Sequence, residues 1–272
     1  MCGITGAVWF EPARAIARDT LDAMTDALTH RGPNDRGTFL QPLTHDAHGL
    51  LPGIALGFRR LSIIDLAGGH QPMTNEDGSI VLVFNGEIYN YRELRHRLEG
   101  SGHRFQSDSD TETIVHLYED LGCECFEHLN GMFAIALWDS RKRKLILARD
   151  RLGKKPLYYQ ALPDQVVFGS ELKALAATET MNRQLSPAAI DQFLTYQYIP
   201  HPNTIYTQCR KLPPGHFAEI SADQVKLSNY WHVSWQREVV IDEATAADQL
   251  QSLLQDAVRL RLRSDVPLGA FL

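Results

Sequence analysis

Several things are scarce in this sequence. Cysteine occurs four times in 272 residues, as Cys2, Cys123, Cys125 and Cys209, with no CxxC pair and no histidine at zinc-ligand spacing. That excludes a disulfide scaffold or zinc ribbon, places Cys123-Glu124-Cys125 as reduced thiols in a helical turn, and fits a cytoplasmic compartment. No apolar run approaches the roughly 20 residues that cross a bilayer. The N-terminus has no basic region leading into an apolar core, so neither membrane nor signal peptide is expected. Basic excess is missing too. A formal net charge of -6 argues against a nucleic-acid partner. Arg141-Lys142-Arg143-Lys144 reads as a solvated turn between strands. Internal repeats and low-complexity segments are absent. What remains, 44% hydrophobic and 22% charged, is the composition of an ordinary folded chain with room for one large domain or two smaller ones.

Periodicity divides the chain. Ile4 to Trp9, Ile54 to Ile64 and Ile80 to Phe84 are strand-like, and Asn85-Gly86 then marks a turn. Ala17, Leu21, Met24 and Leu28 recur at helical spacing, as do Tyr91, Leu94 and Leu98. Ser109-Asp110-Thr111-Glu112 has the form of a capping box before a helix through Leu121. Met132–Trp138, Lys144–Ala148, Leu157–Gln160 and Val166–Phe168 come next as strands joined by short turns, which predicts antiparallel pairing. Ser186-Pro187 opens a further helix. The pattern predicts an α+β fold of stacked antiparallel sheets. Residues 2–212 form the first domain in this reading, and 213–241 a connecting hairpin and linker. A long helix and a buried-looking strand over 242–272 begin a second, incomplete α/β domain.

The chain opens Met1-Cys2-Gly3-Ile4. Removing Met1 leaves Cys2 with a thiol and a free α-amine, a nucleophile and a base in one residue. A small buried cysteine starting a strand is the other reading. Asn85-Gly86-Glu87 places a side-chain amide beside a glycine N–H, the donors an oxyanion hole needs, though the same pair is a strong turn signal. Arg60 offers a planar fork for a carboxylate, or is a surface arginine at a strand end. Asp110 can receive an ammonium, or simply complements the dipole of its own helix, and Glu87 reads either way. An arginine with two carboxylates suits a zwitterionic amino acid.

Five ordered blocks resemble the glutamine-hydrolysing asparagine synthetases. They are Met1-Cys2-Gly3-Ile4, His30-Arg31-Gly32-Pro33, Arg60-Leu61-Ser62-Ile63-Ile64-Asp65, Asn85-Gly86-Glu87-Ile88-Tyr89-Asn90 and Ser109-Asp110-Thr111-Glu112. Gly131-Met132-Phe133-Ala134, Arg149-Asp150-Arg151-Leu152-Gly153, Pro156-Leu157-Tyr158-Tyr159 and Gly169-Ser170-Glu171-Leu172-Lys173-Ala174 continue the likeness. Ser264-Asp265-Val266-Pro267-Leu268-Gly269 resembles the segment leading into that family's ATP site. The chain looks most similar to bacterial members of the exosortase-associated type.

The resemblance implies a class II glutamine amidotransferase domain with the four-layer αββα sandwich of N-terminal-nucleophile hydrolases. It implies that Cys2 forms a γ-glutamyl thioester, with Asn85 and Gly86 as the oxyanion hole. Arg60 would hold the glutamine carboxylate. Glu87, Asp110 and the carbonyls of Leu61 and Ile63 would hold its ammonium. His30, Arg31, Gly32 and Pro33 would form a closing loop. Glutamine hydrolysis would need no cofactor and no metal. ATP and Mg2+ would serve a synthetase half that activates aspartate, with Leu272 at the edge of its ATP site and the rest missing from this sequence. The family also allows a homodimer and other acceptors, and a non-catalytic fragment is the remaining alternative. Asn34 stands where the family usually has aspartate, a change expected to have little effect.

Overall fold

The computed structural model describes residues 1–235 and 240–269. Its strands are β1 (Gly3–Trp9), β2 (Asp35–Gln41), β3 (Thr44–Asp46), β4 (Gly49–Leu51), β5 (Gly53–Arg60), β6 (Met73–Thr74) and β7 (Ile80–Ile88). They continue with β8 (Gly131–Asp139), β9 (Lys144–Arg149), β10 (Tyr158–Leu162), β11 (Gln165–Gly169), β12 (Cys209–Lys211), β13 (His216–Ile220) and β14 (Val225–Asn229). The helices are α1 (Arg18–Asp26), α2 (Tyr91–Gly100), α3 (Asp110–Leu121), α4 (Cys125–His128), α5 (Leu172–Leu175), α6 (Pro187–Tyr196) and α7 (Glu243–Arg261). One six-stranded sheet runs β12-β10-β11-β1-β5-β2, and the other β14-β13-β9-β8-β7-β6. The pairings within both are antiparallel.

Successive strand residues point to opposite faces, and here both faces of each sheet are apolar. Ile4 and Val8, Ile54, Leu56 and Phe58, and Val81 and Val83 meet between the sheets. Leu82, Phe84, Ile135 and Leu137 face outward under Leu94 and Leu98 of α2 and Ile114 and Leu117 of α3. Ala7, Trp9, Ala55 and Val167 pack under Leu21 and Met24 of α1 and Leu175 of α5. The result is four layers, helix–sheet–sheet–helix: the stacked antiparallel sheets the sequence predicts, in the sandwich its resemblance implies.

The structure departs from the sequence reading at several points. The strand expected through Ile64 ends at Arg60, and 61–69 is an irregular loop. Asn85-Gly86 is no turn: β7 continues to Ile88, and Asn85 and Gly86 pair with Ala134 and Phe133. The long partner β8 overrides a local turn preference, because pairing and packing outweigh dipeptide propensity. The capping box closes on one side only. Ser109 Oγ accepts from Thr111 N–H at 3.2 Å, while the Glu112 carboxylate accepts from the N–H groups of Gln106 and Ser107, both at 2.7 Å. The hairpin expected as a connector extends the second sheet, with β13 pairing to β9. Residues 264–269 form no strand, and Leu272 lies outside the described residues.

Candidate active site

The site grows out of the inter-sheet core by the same alternation. Positions 54, 56 and 58 of β5 face the core, and Arg60 is next in phase. Positions 81 and 83 of β7 are succeeded by Asn85 and Glu87, and Ile4 of β1 is preceded by Cys2. Apolar side chains give way to polar ones at one end of the sheets, and an open-mouthed cavity lies there. All eight residues singled out for catalysis and glutamine binding line it: Cys2, Arg60, Leu61, Ile63, Asn85, Gly86, Glu87 and Asp110. The loop His30–Pro33 does not. Gly32 runs against the Arg59–Arg60 backbone, where a Cβ would lie 2.4 Å from the Arg59 carbonyl carbon.

Cys2 is held by its neighbours. Its Sγ accepts from Leu61 N–H at 3.3 Å and donates to Leu61 O at 3.6 Å. Its carbonyl accepts from Arg31 Nε at 2.9 Å, and Arg31 in turn donates to Glu171 at 2.9 Å, which also meets His30 and Lys173. Burial pushes the thiol above its ordinary pKa, against the opposing pull of the Leu61 N–H, the terminal amine, Lys155 and Arg60. Burial also lowers the Met1 amine, with Arg31 and Lys155 acting in the same direction.

The free edge of β7 carries the donors. Phe133 N–H and C=O both bond to Asp150, so the Gly86–Phe133 pair exchanges no ladder bonds and Gly86 N–H points away from β8. On that edge Phe84 N–H donates to Gln71 Oε1 at 2.6 Å and Ile88 N–H to Asp110 Oδ2 at 2.8 Å. Gly86 N–H lies between them without a partner among the described residues. The neighbouring Asn85 side chain is fully buried, and neither its Oδ1 nor its Nδ2 is bonded. An unsatisfied buried polar group costs about 1–3 kcal/mol, a cost that a ligand bonded to Asn85 in the cavity would relieve. Gly86 has no room for a side chain, since a Cβ would lie 2.3 Å from Met132 O.

Arg60 is 6% exposed, which rules out the surface reading. Its guanidinium donates to the carbonyls of Ile64 (3.1 Å), Asp65 and Leu66 (3.2 Å). Asp110 is buried at the N-terminus of α3, and burial raises its pKa to about 6 despite the bond from Ile88 N–H. Burial, with Asp110 adding repulsion, raises Glu87 to about 7. Both carboxylates therefore sit in surroundings that call for a cation. Asn34 Oδ1 accepts from Ser62 N–H at 3.1 Å, a bond an aspartate would also accept.

Two polar side chains of the cavity wall escape the sequence reading. Gln71, 4% exposed, bridges β7 and α3 through Phe84 N–H and Thr111 Oγ1. Lys155, 5% exposed, is delivered by a turn built on Asp150, whose carboxylate accepts from the N–H groups of Phe133, Leu152, Lys154 and Lys155. Burial lowers the Lys155 pKa, with Cys2 and Glu87 pulling the other way. The Arg149–Gly153 block was the available signal for that turn, but nothing in Lys154-Lys155 marks the second lysine as inward. Away from the cavity, His103, His116 and Glu119 offer donor atoms within 4.8 Å of one another, with His116 Nδ1 3.0 Å from Glu119.

Fold and cavity together define an αββα protein with a cysteine at the head of its first strand. Residues 1–231 match the glutamine amidotransferase domain family, and the chain belongs to it. It is 36% identical over 275 residues to asparagine synthetase [glutamine-hydrolyzing] 1 of Bacillus subtilis, covering all of this chain and 42% of that protein. It is 34% identical over 292 residues to the putative asparagine synthetase [glutamine-hydrolyzing] 2 of Methanocaldococcus jannaschii, covering all of this chain and 54% of that one. The chain thus spans about half the length of these relatives. The solved glutamine phosphoribosylpyrophosphate amidotransferase of Bacillus subtilis shares the fold. Its TM-score is 0.59 at 22% identity, over 85% of this chain and 49% of that chain. Among the described residues no helix is long and apolar enough to cross a membrane.

Proposed function

We propose that this domain hydrolyses glutamine and supplies the ammonia to an asparagine-synthetase-type reaction. The observation that carries the proposal is the pair of unpaired donors, Asn85 Nδ2 and Gly86 N–H, at a cavity whose wall includes Cys2. After removal of Met1, the Cys2 α-amine takes the thiol proton as Sγ bonds to the glutamine side-chain carbonyl carbon. The oxyanion forms against Asn85 and Gly86. Collapse breaks the C–N bond, the amine's proton leaves with ammonia, and water then cleaves the thioester to release glutamate and restore the thiol. Glu87 and Asp110 take the substrate ammonium. Arg60 takes its carboxylate, either directly or through the loop it anchors. The names of the relatives support glutamine as nitrogen donor and asparagine as product of the whole protein. The four free cysteines support a reducing, cytoplasmic setting.

ATP and Mg2+ belong to the acceptor reaction. Ser264–Gly269 offers no glycine-rich turn of the kind that cradles phosphates, and no step through ATP is assigned to this chain. The test is to incubate processed protein with glutamine, aspartate, ATP and Mg2+ and to assay glutamate, pyrophosphate and asparagine separately. Glutamate alone is expected, and Cys2→Ala should abolish it. Glutamate formation that survives Cys2→Ala, or ATP-dependent asparagine from this chain alone, would overturn the reading.

A further inference from the structure

We propose that Asp265 is a positioning residue for the proposed glutamine pocket, tying the loop that carries Leu61 and Ile63 into its working shape. This rests on the reading of the cavity as a glutamine site. No residue of α7 is buried, so packing of that helix does not fix the course of the chain beyond it. The segment after α7 nevertheless returns to the cavity rim. Asp265 Oδ2 accepts from Asp65 N–H at 2.7 Å, and Asp265 N–H donates to Ile63 O at 3.0 Å. Arg263 donates to Tyr89 O, and the Arg261 guanidinium lies 4.7 Å from the Tyr89 ring centroid. One short segment thereby touches both walls: the 61–66 loop and the end of the strand that carries Asn85 and Glu87.

The loop needs such a tie. Asp65 has φ +49°, a left-handed conformation that a residue with a Cβ adopts at a cost. Its side chain is held on the other side by the N–H groups of Gly68 (2.8 Å) and Asp108 (2.9 Å), the latter two residues before Asp110. The carbonyls of Ile64, Asp65 and Leu66 form the cradle that orients Arg60. Leu61 brackets the Cys2 thiol. With one lone pair of Ile63 O held by Asp265 N–H, its other lone pair is aimed by that bond. Asp265 therefore acts on substrate grip through the loop, while Asn85 and Gly86 stand on a different element.

The expected result is a split between kinetic constants. Asp265→Ala should raise the glutamine KM about fivefold, the equivalent of one lost hydrogen bond, with kcat within about twofold of the parent under the same constraint. Asp265→Asn keeps an acceptor for Asp65 N–H and should restore KM. Amide hydrogen exchange over residues 61–68 of the full chain should accelerate in Asp265→Ala and not in Asp265→Asn. The exchange readout does not depend on glutaminase activity, so a protein that failed to hydrolyse glutamine would refute the site reading and leave the tie separately measurable. Unchanged KM and exchange in Asp265→Ala would overturn the proposal. So would an Asp265→Asn variant as impaired as the alanine, or a fall in kcat with KM unchanged.

Discussion

The space between the two sheets has two ends built by one rule and filled with opposite chemistry. At one end, Val8, Ile54, Val81 and Trp138 alternate inward, and the Trp138 indole N–H is the one polar side-chain atom they bury. At the other, the same strands in the same phase present Cys2, Arg60, Asn85 and Glu87. The dry end gains from burial. The polar end bears an unbonded amide and two carboxylates whose ionisation burial opposes. The difference teaches that this site is preorganised at the expense of the fold that holds it, and the two ends should respond to substitution in opposite ways.

Trp138→Ala, at the dry end, should show the largest effect. Deleting a wholly buried aromatic costs about 3–5 kcal/mol, read as a lowered denaturation midpoint, while the glutamine KM of the folded fraction stays unchanged. Asn85→Ala should do the reverse. Loss of one oxyanion donor costs about 2.7–4 kcal/mol in the transition state, so kcat should fall by a factor of about 100 to 1,000 with stability unchanged or increased. A matching loss of stability would show that Asn85 belongs to the core rather than to the site.

Arg60→Ala and Asp110→Asn should come next. Each removes a charge-assisted contact of about 1.5–3 kcal/mol, which predicts a KM raised about tenfold to a hundredfold. Asp110→Asn should also raise the thermal midpoint, because it removes a buried charge while its amide oxygen can still accept from Ile88 N–H. If glutamine bound normally to both variants, the arginine would be a loop anchor and the aspartate a helix-cap residue.

The last effect is a pH dependence. Glu87 and Asp110 have raised pKa values, about 7 and about 6, so the folded state holds their protons more tightly than the unfolded chain does. Ionising them costs stability above those values, and acidification from pH 7.5 to about 5 should recover it. The same acidification protonates the carboxylates proposed to hold the substrate ammonium, so KM should rise as stability rises. Glu87→Gln should flatten the upper part of both curves. Parallel loss of stability and affinity on acidification would contradict the assignment.

Much of this was legible in the sequence, and the rest failed for definite reasons. The runs Ile54-Leu56-Phe58-Arg60 and Val81-Val83-Asn85-Glu87 carry the alternation that delivers the site. Which strands lie across from each other is set by pairings between distant segments such as β1 and β11, which alternation does not encode. Asn85-Gly86 misled because a turn preference is local and the ladder with β8 is not. Glu112 misled because the preceding loop offered it two N–H donors in place of the one at Ser109. Lys155 was invisible as a cavity residue because a turn delivers it there, and Asp265 as a neighbour of the 61–66 loop because the chain returns to that loop only after α7.

The most direct test of the central claim is acid-quenched mass spectrometry of processed protein during turnover of glutamine. The account predicts a γ-glutamyl thioester on the peptide that begins at Cys2, increased when the chain is mixed with excess substrate. It further predicts that the adduct is absent from Cys2→Ala and from protein that retains Met1. Full turnover by Met1-bearing protein, or an acyl adduct on any other residue, would contradict it.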